Sequence, residues 1–142
     1  MSAKPSLTLK RRLKAPPAKV FAAWTDPKMM IHWWSPAEFE TLICESDPTV
    51  GGRFRVLMRG PDGTEHDVSG RFREVVRNER LVFSWAWKTA PEQVSQVTIT
   101  LRPDGAGTLL TLLHEQLPDA PTRDSHNTGW SGALDKLERL VA

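Results

Sequence analysis

The closing stretch of the chain, Asp119 to Ala142, limits the possible folds most, because no other segment is long and periodic enough to form a long amphipathic helix. At about 100° per residue, His126, Trp130, Ala133, Leu134, Leu137, Leu140 and Val141 fall on one side, and Asp135, Glu138 and Arg139 on the other. Asp119 or Thr122 can cap the start, and Pro121 is tolerated only in a first turn, where its missing N–H would be unsatisfied anyway. Gly129 and Gly132 interrupt the helical pattern at a cost of ~1 kcal/mol each relative to Ala. Something must therefore approach closely at the edge of the apolar stripe, either a sheet packed tightly against it or a ligand beside Trp130. A lone helix cannot bury such a stripe, so the preceding residues must supply the surface on which it lies.

Those residues read as strands. Leu7, Leu9 and Leu13 alternate with Thr8, Lys10, Arg12 and Lys14, and the inward row includes Arg11, the pattern of a snorkelling edge residue. Pro16-Pro17 ends that strand and opens a short helix over Ala18 to Trp24, with Val20, Phe21 and Trp24 on one side. Thr25-Asp26-Pro27 signals a second short helix running toward Trp33-Trp34-Ser35-Pro36. Successive strands follow: Phe39 to Glu45, then Arg53 to Arg59, then a strand with His66, Val68, Gly70 and Phe72 on one face and Asp67, Ser69, Arg71 and Arg73 on the other. Leu81, Phe83, Trp85 and Trp87 share a face of the next, and Val97, Ile99 and Leu101 precede Leu110, Leu112 and His114. Pro61-Asp62-Gly63, Asn78-Glu79 and Pro103-Asp104-Gly105 are tight-turn signals. The expected fold class is α+β, an antiparallel meander curved around one long helix, with a bend or bulge at Gly70.

A chain of 142 residues suffices for one domain with a full core, and no repeat or low-complexity tract divides it. The formal charge of +2 is small and its contributors are interspersed, which argues against a nucleic-acid partner. No apolar run approaches the ~20 residues that cross a bilayer, and the opening MSAKPSLTLKRRLK lacks a signal-peptide core, so a cytoplasmic protein is expected. The single cysteine, Cys44, has no disulfide partner and reads as a structural strand thiol.

The ordered set Ala15-Pro16-Pro17, Val20-Phe21, Trp24-Thr25-Asp26-Pro27, Trp33-Trp34-x-Pro36, Gly51-Gly52-Arg53-Phe54, Leu81-Val82-Phe83-x-Trp85, Thr111-Leu112-x-His114-Glu115 and Gly129-Trp130 resembles the family of the activator of heat-shock protein 90 ATPase homologue. That family belongs to the START-like, or SRPBCC, superfamily of the polyketide cyclases and the birch-pollen allergen. The resemblance runs from about Leu7 to Val141 and implies a single domain, 1–142, of helix-grip fold. It also implies an elongated apolar cavity between sheet and long helix, used in the superfamily for binding lipids, hormones and polyketides or for cyclase and hydratase chemistry. Glu38 and Thr49 depart from the pattern at positions expected near the cavity mouth.

Six tryptophans and no tyrosine suit a wall of large apolar faces carrying single fixed donors, and Trp34, Trp85, Trp87 and Trp130 are candidates for it. The same residues could simply fill the space beneath the helix. The expected ligand-binding residues are Trp34, Phe54, Met58, His66, Phe72, Phe83, Trp85, His114, His126 and Trp130, enclosing a small hydrophobic molecule of lipid-, polyketide- or aromatic-like character. His114, turned inward by alternation, is the polar anchor and, in an alternative reading as a cyclase or hydratase, the acid or base; Glu115 points the other way. The histidines lie on separate elements without metal-ligand spacing, so neither a metal nor a cofactor is expected. Arg53, Arg55, Arg59, Arg71 and Arg73 should share the convex face, the surface a co-chaperone-like module would use, although Glu65, Asp67 and Glu74 lie near enough to neutralise part of it. A homodimer is compatible with the sequence. Phosphate-cradling and nucleophile-elbow motifs are absent.

Overall fold

The structure, a computed structural model, describes residues 4–142; Met1, Ser2 and Ala3, which begin the stretch read as lacking a signal core, lie outside the described residues. The elements follow as β1 (Leu7–Leu13), α1 (Pro17–Thr25), α2 (Pro27–Met30), β2 (Glu40–Ser46), β3 (Arg53–Arg59), β4 (Glu65–Val76), β5 (Arg80–Trp87), β6 (Ser95–Asp104), β7 (Gly107–Glu115) and α3 (Ala120–Leu140). The strands form one sheet in the order β1-β7-β6-β5-β4-β3-β2, antiparallel throughout, with β1 returning to close the meander against β7. This is the helix-grip arrangement.

Local chemistry sets most boundaries. Proline stands in the first turn of all three helices, and Asp26 and Asp119 cap α2 and α3 by accepting from the Lys28 and Thr122 amides at 3.0 and 2.8 Å. The second helix is shorter than the sequence pattern predicts, ending at Met30. Trp33 and Trp34 are both buried, whereas adjacent residues on a helix lying over the core point about 100° apart. Turns replace the helix there, and the Trp33 indole donates to the Ala23 carbonyl at 2.9 Å.

The sheet bends at Gly70. A Cβ there would lie 1.8 Å from the Ser84 carbonyl oxygen, the Arg71 amide donates to Ser84 Oγ at 2.8 Å, and the β4–β5 register shifts between Phe72 and Glu74. The concave face so formed holds the core, including Val20, Trp24, Trp33, Phe54, Phe83, Ile99, Leu112, Leu134 and Leu137. Arg11, on the inward row of β1, reaches the edge of α3 and bonds Asp135 at 2.5 Å and Ser131 Oγ at 3.1 Å.

The outward arginines are largely engaged. Arg55 pairs with Asp67 at 2.9 Å and Glu45 at 3.4 Å, Arg59 pairs with Glu40, Arg71 donates to the Gly51 carbonyl and Arg73 to Gln96. Cys44 packs against the core from β2, and burial pushes its thiol up to about 12, so it is held un-ionised. No described helix is long and apolar enough to cross a membrane.

Candidate functional site: a pocket walled by tryptophan

A cavity of about 180 Å³ opens between α3, the strand ends and the loop after α2. The loop supplies Trp34, Ser35, Pro36 and Phe39; the strands supply Met58, His66, Trp85 and Trp87; α3 supplies Ser125, His126, Gly129, Trp130 and Ala133. The two helix glycines explain how the loop comes so near. A Cβ on Gly132 would stand 2.7 Å from the Ala37 backbone nitrogen, and one on Gly129 would touch Pro36 at 3.4 Å. The close neighbour at the edge of the stripe is thus the Pro36–Ala37 loop and not the sheet, with the cavity immediately alongside.

Lys136 fastens that loop to α3. Its ammonium donates to Ser35 Oγ, the Pro36 carbonyl and the Phe39 carbonyl at 2.9, 2.8 and 2.9 Å. Burial, and then the nearby Arg139 charge, lower its pKa, and three oxygen acceptors replace the water it has lost.

The histidines are arranged differently from expectation. His114 lies behind the wall, fully buried, and both ring nitrogens are occupied. The Trp130 indole donates to Nδ1 at 3.1 Å, which leaves Nε2–H to donate to Ser95 Oγ at 2.7 Å, and Ser95 passes its proton toward the Trp85 carbonyl at 3.4 Å. Burial, helped by His126, pushes the His114 pKa down to about 3, so the ring is neutral near pH 7. His126 repeats the pattern at the wall: the Trp87 indole donates to Nε2 at 3.1 Å and Nδ1–H donates to the Thr122 carbonyl at 2.8 Å. Burial lowers its pKa too, opposed by the bond to Thr122. Neither ring has a nitrogen free for a ligand, and His114 is not placed as the polar anchor or acid–base group expected of it. Glu115 does face away, accepting from Gln96 on the outer side.

Six of the ten expected binding residues meet in the wall: Trp34, Met58, His66, Trp85, His126 and Trp130. Phe54, Phe72, Phe83 and His114 do not; the three phenylalanines pack on one another with ring centroids 5.0 to 6.0 Å apart, filling the concavity that an elongated channel would need. Ser35, Pro36, Phe39, Ser125, Gly129 and Ala133 line the pocket unforeseen, although the cost of Gly129 in a helix did signal close approach. Glu38 is exposed beside the loop, while Thr49 sits in the β2–β3 turn bonded to Asp47, away from the mouth. Among the described residues no group of three His, Cys, Asp or Glu could hold a metal. An outer groove lined by Arg55, Glu65, Asp67 and Lys88 shares His66, Trp87, Ser125 and His126 with the pocket.

A family model described as Activator of Hsp90 ATPase homolog 1-like protein matches residues 14–142. The chain belongs to that family. Solved structures of similar proteins extend the agreement over the whole Activator of Hsp90 ATPase homolog 1-like fold. A Chromobacterium violaceum protein is 32% identical, with 96% of each chain covered and a TM-score of 0.88. A Nitrosomonas europaea protein is 28% identical over 99% of this chain and 96% of its own, with a TM-score of 0.83. A Silicibacter pomeroyi protein that bears the family's name is 26% identical over 95% of this chain and 96% of its own, with a TM-score of 0.85. No curated protein matches the chain.

Proposed function

We propose that this family member binds one small hydrophobic molecule, of the size of a single substituted ring, in the tryptophan-walled pocket, and that it does so in the cytosol. The observation that carries the reading is a preformed cavity of about 180 Å³ faced by Trp34, Trp85, Trp87 and Trp130. An apolar cavity of ~150 Å³ takes up benzene, whereas pockets for drug-sized ligands run from ~300 to 1,000 Å³. Of the three ligand classes that the sequence suggests, the aromatic-like one suits this volume; a long acyl chain or a fused polyketide does not.

The cyclase or hydratase alternative loses support because His114 is enclosed and fully hydrogen-bonded. The co-chaperone-like alternative loses support because the outward guanidinium groups of Arg55 and Arg59 already have carboxylate partners. Isothermal titration of the purified protein with single-ring compounds and with a long-chain fatty acid tests the proposal. Saturable one-to-one binding of the ring compounds is expected, with none of the fatty acid. Failure of every ring compound to bind at its solubility limit would overturn the reading.

A further inference from the structure

Resting on that reading, we infer that His66 is the polar contact of the pocket and that the ligand is an uncharged ring compound carrying a hydroxyl group, of the phenol or aryl-alcohol class, bonded to an imidazole nitrogen of His66. Most other polar groups of the wall are already engaged. The Trp130 and Trp87 indoles donate to His114 and His126, and both nitrogens of His126 are bonded. Ser35 Oγ accepts from the Lys136 ammonium and pairs with the Thr41 hydroxyl. The Trp34 and Trp85 indole nitrogens are enclosed, out of reach of the cavity. His66 differs from all of these. Among the described residues it makes no hydrogen bond, and because it is half-buried and its ring nitrogens are not enclosed, both keep accessible surface.

Packing alone holds the ring. His66 stands opposite Met58 in the β3–β4 ladder, with its ring centroid 5.6 Å from that of Phe39 and edge-on to Trp87 at 6.2 Å. It lines both the pocket and the outer groove, so it stands where the apolar wall gives way to polar surroundings. No neighbour fixes which nitrogen carries the proton. A neutral imidazole presents one donor and one acceptor in either order, and a hydroxyl, being both, pairs with whichever nitrogen it meets; a carbonyl can use only the N–H. Charge is disfavoured, since no Asp, Glu, Lys or Arg lines the pocket. In the groove Arg55 and Lys88 are balanced by Glu65 and Asp67, which selects neither sign. Ser125 also makes no side-chain hydrogen bond among the described residues, but it is exposed, so exchanging its water for a ligand changes little, which makes it the internal control.

The test uses two compounds of one shape, para-cresol and para-xylene, titrated calorimetrically at about pH 8, above the ordinary histidine range, against the wild type, His66→Phe and Ser125→Ala. The ratio of para-cresol to para-xylene affinity should fall about fivefold to tenfold in His66→Phe, the value of one net hydrogen bond, and hold in Ser125→Ala. Taking the ratio within each variant cancels the intrinsic difference between hydroxyl and methyl and any partial loss of stability. In the wild type, para-cresol should shift the ring-nitrogen NMR signals of His66 beyond the change that para-xylene causes, and this decides alone if His66→Phe does not fold. A ratio unchanged in His66→Phe, a fall in Ser125→Ala instead, or equal response of the ring nitrogens to both compounds overturns the inference and leaves the pocket standing. Binding of neither compound overturns the pocket and the inference with it.

Discussion

Acid should loosen this protein well before its carboxylates titrate, because His114 is buried as a neutral base. The folded state protonates it only near pH 3, against an ordinary value of 6.5 in the unfolded chain. Between those limits the unfolded chain binds the extra proton, so stability is complete above about pH 6.5 and declines as the pH falls, by up to about 1.4 kcal/mol per pH unit. Taking the pH from about 7.5 to about 5 therefore costs about 2 kcal/mol from this one ring. Nothing nearby offsets the loss. Its only charge-bearing influence is His126 on α3, whose own pKa is lowered by burial and which adds to the decline. Asp62 and Asp119 have pKa values below the carboxylate reference of 3.8, so their contributions disappear only under still more acid conditions. Urea unfolding followed by tryptophan fluorescence should show the midpoint falling by about 1 M for a slope near 2 kcal/mol/M. In His114→Gln an amide still offers Trp130 an acceptor and Ser95 a donor but does not titrate, so most of the decline should vanish, leaving the share of His126. Parallel pH profiles for the wild type and His114→Gln would refute the reasoning.

Three further outcomes follow from named contacts. Lys136→Met removes the ammonium that ties three loop oxygens to α3, and it should cost about 1–3 kcal/mol in urea unfolding and speed hydrogen exchange at the Phe39 amide; an unchanged midpoint would show that the tie contributes nothing. Gly129→Ala meets only ordinary contact with Pro36, so it should be neutral or gain up to ~1 kcal/mol of helix propensity. Gly132→Ala drives a methyl into the Ala37 backbone and should destabilise by more than ~1 kcal/mol despite the same propensity gain; equal effects at the two glycines would contradict the packing described.

The meander was legible because its signals are local. Alternation in Phe54, Val56 and Met58, and turn chemistry at Asp62-Gly63, need no knowledge of distant residues, and the strands appear where those signals put them. The end of α2 was not legible, since it depends on where two adjacent tryptophan rings find room in a core built by other elements. Alternation also turned His114 inward correctly, but saturation of the ring depends on an indole that α3 brings back across the sheet. The same limit separates wall from core. Phe54 and Phe83 share the concave face with Met58 and Trp85, and pattern alone treats all four alike. Which of them meets a void is decided by where Lys136 and the Pro36–Ala37 backbone hold the loop against α3.

The two buried histidines connect stability to the proposed pocket. Each accepts from an indole on an opposing element: His114 on β7 from Trp130 on α3, and His126 on α3 from Trp87 on β5. A neutral imidazole is an acceptor there, whereas an imidazolium would set a second donor against the indole N–H. Protonation therefore breaks the bonds that hold α3 against the sheet, and Trp130, Trp87 and His126 are also walls of the cavity. Because the folded state keeps His114 neutral until about pH 3, affinity for an uncharged ring ligand should stay nearly constant between about pH 6.5 and pH 5 even as stability declines through proton uptake by the unfolded chain. Calorimetric affinities at those two pH values, compared in the wild type and His114→Gln, check this. An affinity that falls together with the urea midpoint in the wild type but not in His114→Gln would show that His114 takes up its proton in the folded state well above pH 3, against the burial described.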